Sequence, residues 1–339
     1  MDKRVIFAVA GSGKTTYIID QLTLHSRSLI ITYTNNNTKN LRTAIIEKFG
    51  FFPDNIRLLP YFTFLYSFCF KPFLTYKYKT KGINYDQNFN KFIKQTEKRY
   101  YFDRNNRIYS NRISKFIEKE NELVNVNTRL EKYYDNLFID EIQDFGGNDF
   151  NFLKSIMKTN INILLVGDFY QHTFDTSRDG SVNKSIHHKF NKYKKLFEKM
   201  GLIVDTDSLD RSWRCSPSVC KFITDNLGIE IKSHKKIDTV VSLIEDKEQA
   251  IEIFNDKQIV KLFYQEHYKY KCFSRNWGDS KGENYYRDIC VVLNKSVLDN
   301  YSDLTKLKPQ TKNKFYVACS RANNNLFFVS DKLYKEKKE

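Results

Sequence analysis

No two of the six cysteines in this 339-residue chain (Cys69, Cys215, Cys220, Cys272, Cys290, Cys319) stand in a C-x-x-C spacing. That excludes a zinc knuckle or thiol–disulfide motif, and inert thiols in a reducing compartment are expected. Glycine and proline are scarce, at 12 and 5 residues, which leaves little room for a flexible linker. No apolar run approaches the roughly 20 residues of a membrane-spanning helix, so no membrane partner is expected. The opening MDKRVIFAVAG runs straight into a Gly-rich loop instead of a cleavable leader, and cytoplasm is the simplest address. Acid is the minority charge: 40 Asp and Glu against 56 Lys and Arg, a net +16. Such a balance favours polyanionic partners, nucleic acid first among them, and says nothing about fold. Aromatic residues are plentiful, 28 Phe and 22 Tyr. With 41% hydrophobic residues at this length, the chain is globular and large enough for about two domains.

Val5–Ala10 is a short apolar run of the kind buried on both faces of a parallel sheet. AGSGKTT (Ala10–Thr16) follows, and then YIIDQLTL, which reads as a helix. Strand, Gly-rich loop and helix are the context a phosphate-binding loop requires. Gly11 and Gly13 allow backbone N–H groups to close around phosphates, with Ala10, Ser12 and Thr16 completing the loop. Lys14 can neutralise β/γ oxygens, and the Thr15 hydroxyl can ligate Mg²⁺. Ala8 stands where the usual first Gly would be.

NLFIDEIQDF (Asn136–Phe145) reads as a strand beside that of the loop, ending in Asp140 and Glu141. Asp140 is placed to hold Mg²⁺ directly or through water. Glu141 can polarise an attacking water, which means hydrolysis instead of transfer to a hydroxyl.

AGSGKTT together with DEIQD resembles the UvrD/Rep-like branch of superfamily 1 helicases, and further stretches follow in that family's order. LIITYTNNNTKNL (Leu29–Leu41) is similar to motif Ia, TFLYSF (Thr63–Phe68) to the next DNA-contacting motif, and LLVGDFYQHTF (Leu164–Phe174) to motif III. LDRSWRCSPSVCKFI (Leu209–Ile223), GDSKGENYYRDICVVL (Gly278–Leu293) and KFYVACSRANNNLFFV (Lys314–Val329) resemble motifs IV, V and VI. The resemblance implies two RecA-like α/β lobes with parallel sheets flanked by helices. The first covers about residues 1–205 with a short insertion at about 71–130, and the second covers 206–339. It implies ATP and Mg²⁺ as cofactors, single-stranded DNA as partner (RNA being the alternative), and a 3′→5′ motor. Under it Lys14, Glu141, Gln171, Arg214 and Arg321 are catalytic, Gln171 reading the γ-phosphate and the arginines stabilising the transferring phosphoryl when the lobes close. Gln143 links Glu141 to the moving lobe. Trp213 stacks on adenine, and Glu283 contacts nucleotide.

On the nucleic-acid side, Tyr33 and Phe174 occupy the aromatic positions of motifs Ia and III, with Phe64 a further ring. Thr32, Thr34, Asn35, Thr63 and Ser67 offer hydroxyl or amide contacts. Residues 71–119 carry thirteen Lys/Arg against four Asp/Glu, either a DNA-facing insert or a solvated surface. Residues 184–199 read as a basic amphipathic helix, with His187 and His188 exposed; the Lys-rich C-terminal KLYKEKKE reads as frayed.

Several departures open a rival reading. Nine residues before the loop are too few for the family's adenine-reading Gln segment. Motif III lacks its second aromatic: Asp175, Thr176 and Ser177 follow Phe174. In motif V, Glu283 stands one place early, with Asn284 at the acidic position. About fifty residues separate motifs IV and V, too few for a large subdomain. The rival is a nucleotide-gated binding or regulatory subunit of a larger complex, such as one of phage defence or a mobile element.

Overall fold

Fifteen strands, all in parallel pairs where a register is defined, organise the computed structural model, which describes residues 1–86, 88, 92–283 and 285–338. The chain divides into two compact units. One contains Met1–Ile6, Thr15–Gly167 and Phe174–Asp205; the other contains Phe7–Lys14, Asp168–Thr173 and Thr206–Glu339.

In the first unit the strands are β1 (Lys3–Phe7), β2 (Ser28–Thr32), β3 (Ile56–Pro60), β4 (Ile83–Asn84), β5 (Ile108–Tyr109), β6 (Asn136–Asp140), β7 (Asn162–Gly167) and β8 (Ile203–Asp205). Six of them form one sheet in the order β3-β2-β6-β7-β1-β8. Leu29, Ile30, Ile31, Leu137 and Ile139 are buried along β2 and β6, as a sheet covered on both faces requires. β1 ends at Phe7, so the apolar run Ala8–Ala10 belongs to the loop. The expected neighbourhood of β1 and β6 is also corrected: β7 lies between them. Adjacent apolar runs in sequence do not specify which crossover skips a place.

The segment expected to be an insertion has an aromatic cluster, in which Tyr78, Tyr101 and Phe102 surround Phe116 at centroid distances of 4.7–5.0 Å. Part of its positive charge is answered locally: Lys77 pairs with Glu120, Arg107 with Asp103, and Arg112 and Lys115 with Asp179. Its helix Ile113–Lys119 is tied to the helix Gly147–Ile156 by Ser114 Oγ, which donates to Asp149 Oδ1 at 2.6 Å.

Asp149 is fully buried, and that burial pushes its carboxyl up to about 6 against the hydrogen bond from Ser114. An acid whose folded pKa lies above its unfolded value contributes stability that is complete below pH about 4. That contribution is lost as pH rises through about 6. Asp149→Asn keeps an acceptor for Ser114 and removes the charge. Its denaturation midpoint is therefore expected to fall less between pH 4 and 7 than that of the wild type, by roughly 3 kcal/mol in unfolding free energy. Parallel pH profiles for the two proteins would contradict this.

His187 is buried, not exposed as the sequence led us to expect: its ring packs 5.1 Å from Tyr193, itself fully buried in the helix Phe190–Lys199. His188 is exposed.

In the second unit β9 (Arg211–Ser212) pairs with β10 (Lys232–Ser233). A five-stranded parallel sheet runs β11-β15-β14-β12-β13, from Val241–Ile244, Leu326–Ser330, Ile289–Leu293, Val260–Phe263 and Ser274–Asn276. Every residue of β12 and β14 is buried. Trp277 is fully buried and donates its indole N–H to Leu262 O at 2.8 Å. The C-terminal segment is not frayed through Lys338. Tyr334 is fully buried against Phe254 and donates its hydroxyl to Ala250 O at 2.9 Å, which anchors the turns Asp331–Lys337. Among the described residues no helix is long and apolar enough to cross a membrane.

Candidate functional site

The loop Ala8–Gly13 turns tightly because Gly11 and Gly13 adopt φ of +71° and +90°, the left-handed region that L side chains disfavour. A chain of hydrogen bonds explains why it groups with the second unit. Val9 N–H donates to Leu209 O (3.0 Å), Trp213 N–H to Gly11 O (2.9 Å), and Ala10 N–H to the buried Tyr316 hydroxyl (2.9 Å). Tyr316 donates in turn to Asp168 Oδ2 at 2.9 Å, and Gln171 Nε2 donates to the same oxygen at 2.9 Å. Burial pushes the Asp168 carboxyl up. The charge of Lys14 and the hydrogen bonds from Tyr316, Gln171 and the Tyr170 N–H act against that shift.

A Cβ on Gly11 would lie 2.8 Å from both Arg214 Cβ and Ser212 Oγ, and one on Gly13 would lie 3.8 Å from the Trp213 ring. The loop therefore meets Trp213 and Arg214 with only backbone between them. Gly11→Ala combines this overlap with a left-handed φ. Nucleotide affinity is expected to fall at least about tenfold, the equivalent of roughly 1.4 kcal/mol. Equilibrium titration with a fluorescent nucleotide checks this, and unchanged affinity would contradict the packing described.

Trp213 is 64% exposed and stacked on His234, with centroids 3.8 Å apart and planes at 13°. The imidazole covers one face of the indole. Arg214 donates through Nη1 to Ser320 O at 3.0 Å, and burial lowers its pKa. Arg321, 2% exposed, donates through Nε to Val317 O (3.2 Å) and through Nη1 to Glu283 O (3.3 Å). Both guanidinium groups thus meet carbonyls at the C-terminal end of the helix Pro309–Cys319, where cations are favoured. The Glu283 carboxylate accepts from Arg275 Nε at 3.4 Å and from the Tyr286 hydroxyl. Asn284 lies outside the described residues.

Lys14, Thr15 and Thr16 open the helix Lys14–Asp20, with the Thr15 side chain half-buried and in the first unit. Asp140 ends β6 and is 3% exposed; its Oδ1 accepts the Glu141 N–H at 2.9 Å. Glu141 is 6% exposed and left-handed, at φ +58°. A non-glycine residue held there is strained. Gln143, fully buried, donates to Glu141 Oε2, and Asn37 Nδ2 donates to Oε1 at 3.4 Å. Gly167, ending β7, leaves room for that arrangement: a Cβ there would lie 2.3 Å from Gln143 Oε1.

Tyr33 and Phe174 come together at 5.0 Å, and Phe62 adjoins Tyr33 at 5.9 Å; all three rings are half-buried. Tyr85, 63% exposed, lies 5.7 Å from Phe62. Asn35, Thr63 and Ser67 are exposed. Thr34 caps the helix Asn35–Phe49, its hydroxyl accepting the Asn37 N–H at 3.1 Å. Thr32 is buried. Phe64 is fully buried and stacked on Phe68 at 5.7 Å, inside the π-helical stretch Phe64–Phe70, so its ring is not presented to solvent. Sequence reasoning had no signal for Asn37, Phe62, Tyr85, Ser212, His234 or Tyr316. Their positions arise from chain segments as much as 306 residues apart, as between Ala10 and Tyr316.

A protein family described as an AAA domain matches residues 2–175, just over half the chain. The chain belongs to that family. Its parallel sheets and phosphate-loop context are a P-loop NTPase fold of the kind found in superfamily 1 helicases. Among solved structures, an arterivirus nonstructural protein 10 helicase in complex with DNA is similar at 12% identity and a TM-score of 0.50, covering 98% of this chain and 62% of that one. The PRRSV helicase is 14% identical with a TM-score of 0.49, covering 99% of this chain and 54% of that one. The AAA-domain chain thus spans little more than half the length of these helicases, and at such identity the likeness concerns fold alone. No curated protein matches it.

The AAA-domain loop fits a nucleotide phosphate on its own chemistry. Ser12 Oγ is buried without a hydrogen-bond partner among the described residues, in a loop whose backbone turns by two left-handed glycines. Thr15 and Asp140 offer the oxygen donors that a hard divalent cation takes.

Proposed function

We propose that this AAA-domain protein is an ATP-driven translocase or helicase of the UvrD/Rep-like branch of superfamily 1, working on single-stranded DNA with 3′→5′ polarity. The observation that carries the proposal is the packing of Trp213 and Arg214 against Gly11 and Gly13. It brings an exposed indole and a guanidinium to a phosphate loop. Lys14 and the loop N–H groups bind the β- and γ-phosphates, and Trp213 stacks on the base. Glu141 takes the proton of the attacking water, while Gln171 reads the γ-phosphate. Arg214 and Arg321 offset charge as the phosphoryl transfers. Mg²⁺, held by Thr15 and Asp140, would supply neutralisation of the phosphate oxygens. Tyr33 and Phe174 offer rings on which bases stack without regard to sequence. Asn35, Thr63 and Ser67 face the sugar–phosphate backbone.

Phosphate release measured with and without single-stranded DNA tests the proposal: stimulation by the strand is expected. No hydrolysis in either condition would overturn it. DNA-stimulated hydrolysis without strand displacement would favour the nucleotide-gated regulatory subunit, to which the short span between motifs IV and V also points.

A further inference from the structure

Trp213 and His234 stand at matching places on one short parallel ladder. Arg211 and Ser212 pair in register with Lys232 and Ser233, and the His234 N–H extends the ladder by donating to Ser212 O at 2.9 Å. Residues in register on neighbouring strands send their side chains to the same face. The indole and the imidazole are accordingly stacked, with centroids 3.8 Å apart and planes at 13°. The segment that carries the imidazole is fastened on both sides of it. Ser233 Oγ donates to Cys215 O at 2.7 Å and accepts the Lys235 N–H at 2.9 Å, and Lys235 Nζ donates to Asn323 O at 2.6 Å. The Trp213 backbone is held as well, through its N–H to Gly11 O. Both residues are exposed all the same, Trp213 by 64%. Two rings held face to face at the surface bury little apolar area, so the fold gains little from the pair.

We propose that His234 is a positioning residue for nucleotide: its imidazole holds the Trp213 indole in one orientation beside the phosphate loop, so that a base meets a ring already in place. The inference rests on the base-stacking role proposed for Trp213. The pyrrole edge of the indole stands at the loop, since a Cβ on Gly13 would lie 3.8 Å from Trp213 Cδ1 and 3.9 Å from Nε1. One edge and one face of the ring are therefore both defined before any ligand arrives. A tryptophan without such a neighbour samples several rotamers, and a base stacking on it must first immobilise it. The ladder and the imidazole remove that cost in advance. A polyphosphate without a base gains nothing from this arrangement, because the contact that His234 makes is with the indole.

Calorimetric affinities of the full chain for ATP and for inorganic tripolyphosphate test the inference. The wild type should bind ATP more tightly than tripolyphosphate. His234→Ala is expected to weaken ATP binding about three- to tenfold, the scale of one side chain immobilised on binding. Its affinity for tripolyphosphate should stay within about twofold of wild type. His234→Phe, which keeps a flat ring at the same place, should restore most of the ATP affinity. In a Trp213→Ala background His234→Ala should have no further effect, since no indole is left to hold. Unchanged ATP affinity in His234→Ala would overturn the inference. So would an equal loss for ATP and tripolyphosphate, which would place the effect on the phosphate loop. A loss in His234→Ala that His234→Phe does not repair would overturn it too, by assigning the effect to the imidazole nitrogens. If the wild type binds ATP and tripolyphosphate equally, the base-stacking role of Trp213 has itself failed, and this inference falls with it.

Discussion

Glu141→Gln is expected to lower nucleotide hydrolysis by about 10²–10⁴-fold while nucleotide affinity changes little. The substitution is nearly isosteric and removes only the capacity to accept a proton. The surroundings can accommodate it. The buried Gln143 amide still finds an acceptor in the new carbonyl oxygen, and the half-buried Asn37 amide can turn its own oxygen toward the new NH₂ group. The left-handed φ of +58° at this position is a property of the turn between β6 and the helical segment Ile142–Asp144, and Gln meets it at the same cost as Glu. Phosphate release at saturating nucleotide reads the effect, and a fluorescent-nucleotide titration reads the affinity. Turnover within threefold of wild type would remove Glu141 from the mechanism. A loss matched by an equal loss of affinity would mean that the turn had been disturbed.

The strands and the loop were legible in the sequence because each is local. A buried parallel strand needs only a run such as LLVG or FID, and a phosphate loop needs only its glycines, Lys14 and Thr15 in order. What surrounds the loop was less legible. Tyr316 is an ordinary aromatic in an apolar helix until its hydroxyl is seen between Ala10 N and Asp168. The stacking of His234 under Trp213 likewise joins the segment after β9 to the one after β10. Phe64 misled for the opposite reason. In TFLYSF each aromatic fits a strand-facing position equally well, and the π-helical stretch Phe64–Phe70 turns Phe64 inward while Phe62 remains beside Tyr33. Net charge left two readings of residues 71–119 open: several of their cations are held by Glu120, Asp103 and Asp179, and a count along the chain does not reveal pairing.

Arg214→Ala is expected to cost about 10³–10⁵ in turnover, the scale of an arginine that offsets charge on a transferring phosphoryl. The alternative for any buried arginine is a structural one, and stability measured beside turnover separates the two. Arg321 is 2% exposed and donates to Val317 O and Glu283 O from one guanidinium. Its truncation removes both bonds, with Ser320 Oγ still donating to Val317 O at 3.1 Å, so Arg321→Ala should lose about 2 kcal/mol of stability in addition to any loss of rate. Arg214 donates to the Ser320 carbonyl, and its Cβ lies against the Gly11 backbone. Truncation to Ala preserves that contact, since the Cβ remains, and the lost bond to Ser320 O costs about 1 kcal/mol of stability. A large loss of turnover with a small shift in melting temperature and unchanged nucleotide affinity is therefore the signature expected for Arg214. Arg214→Lys should not restore the rate, because an ammonium cannot reproduce the planar fork that meets phosphate oxygens in pairs. Full activity in Arg214→Lys would reduce the requirement to positive charge alone, and wild-type turnover in Arg214→Ala would remove Arg214 from the mechanism.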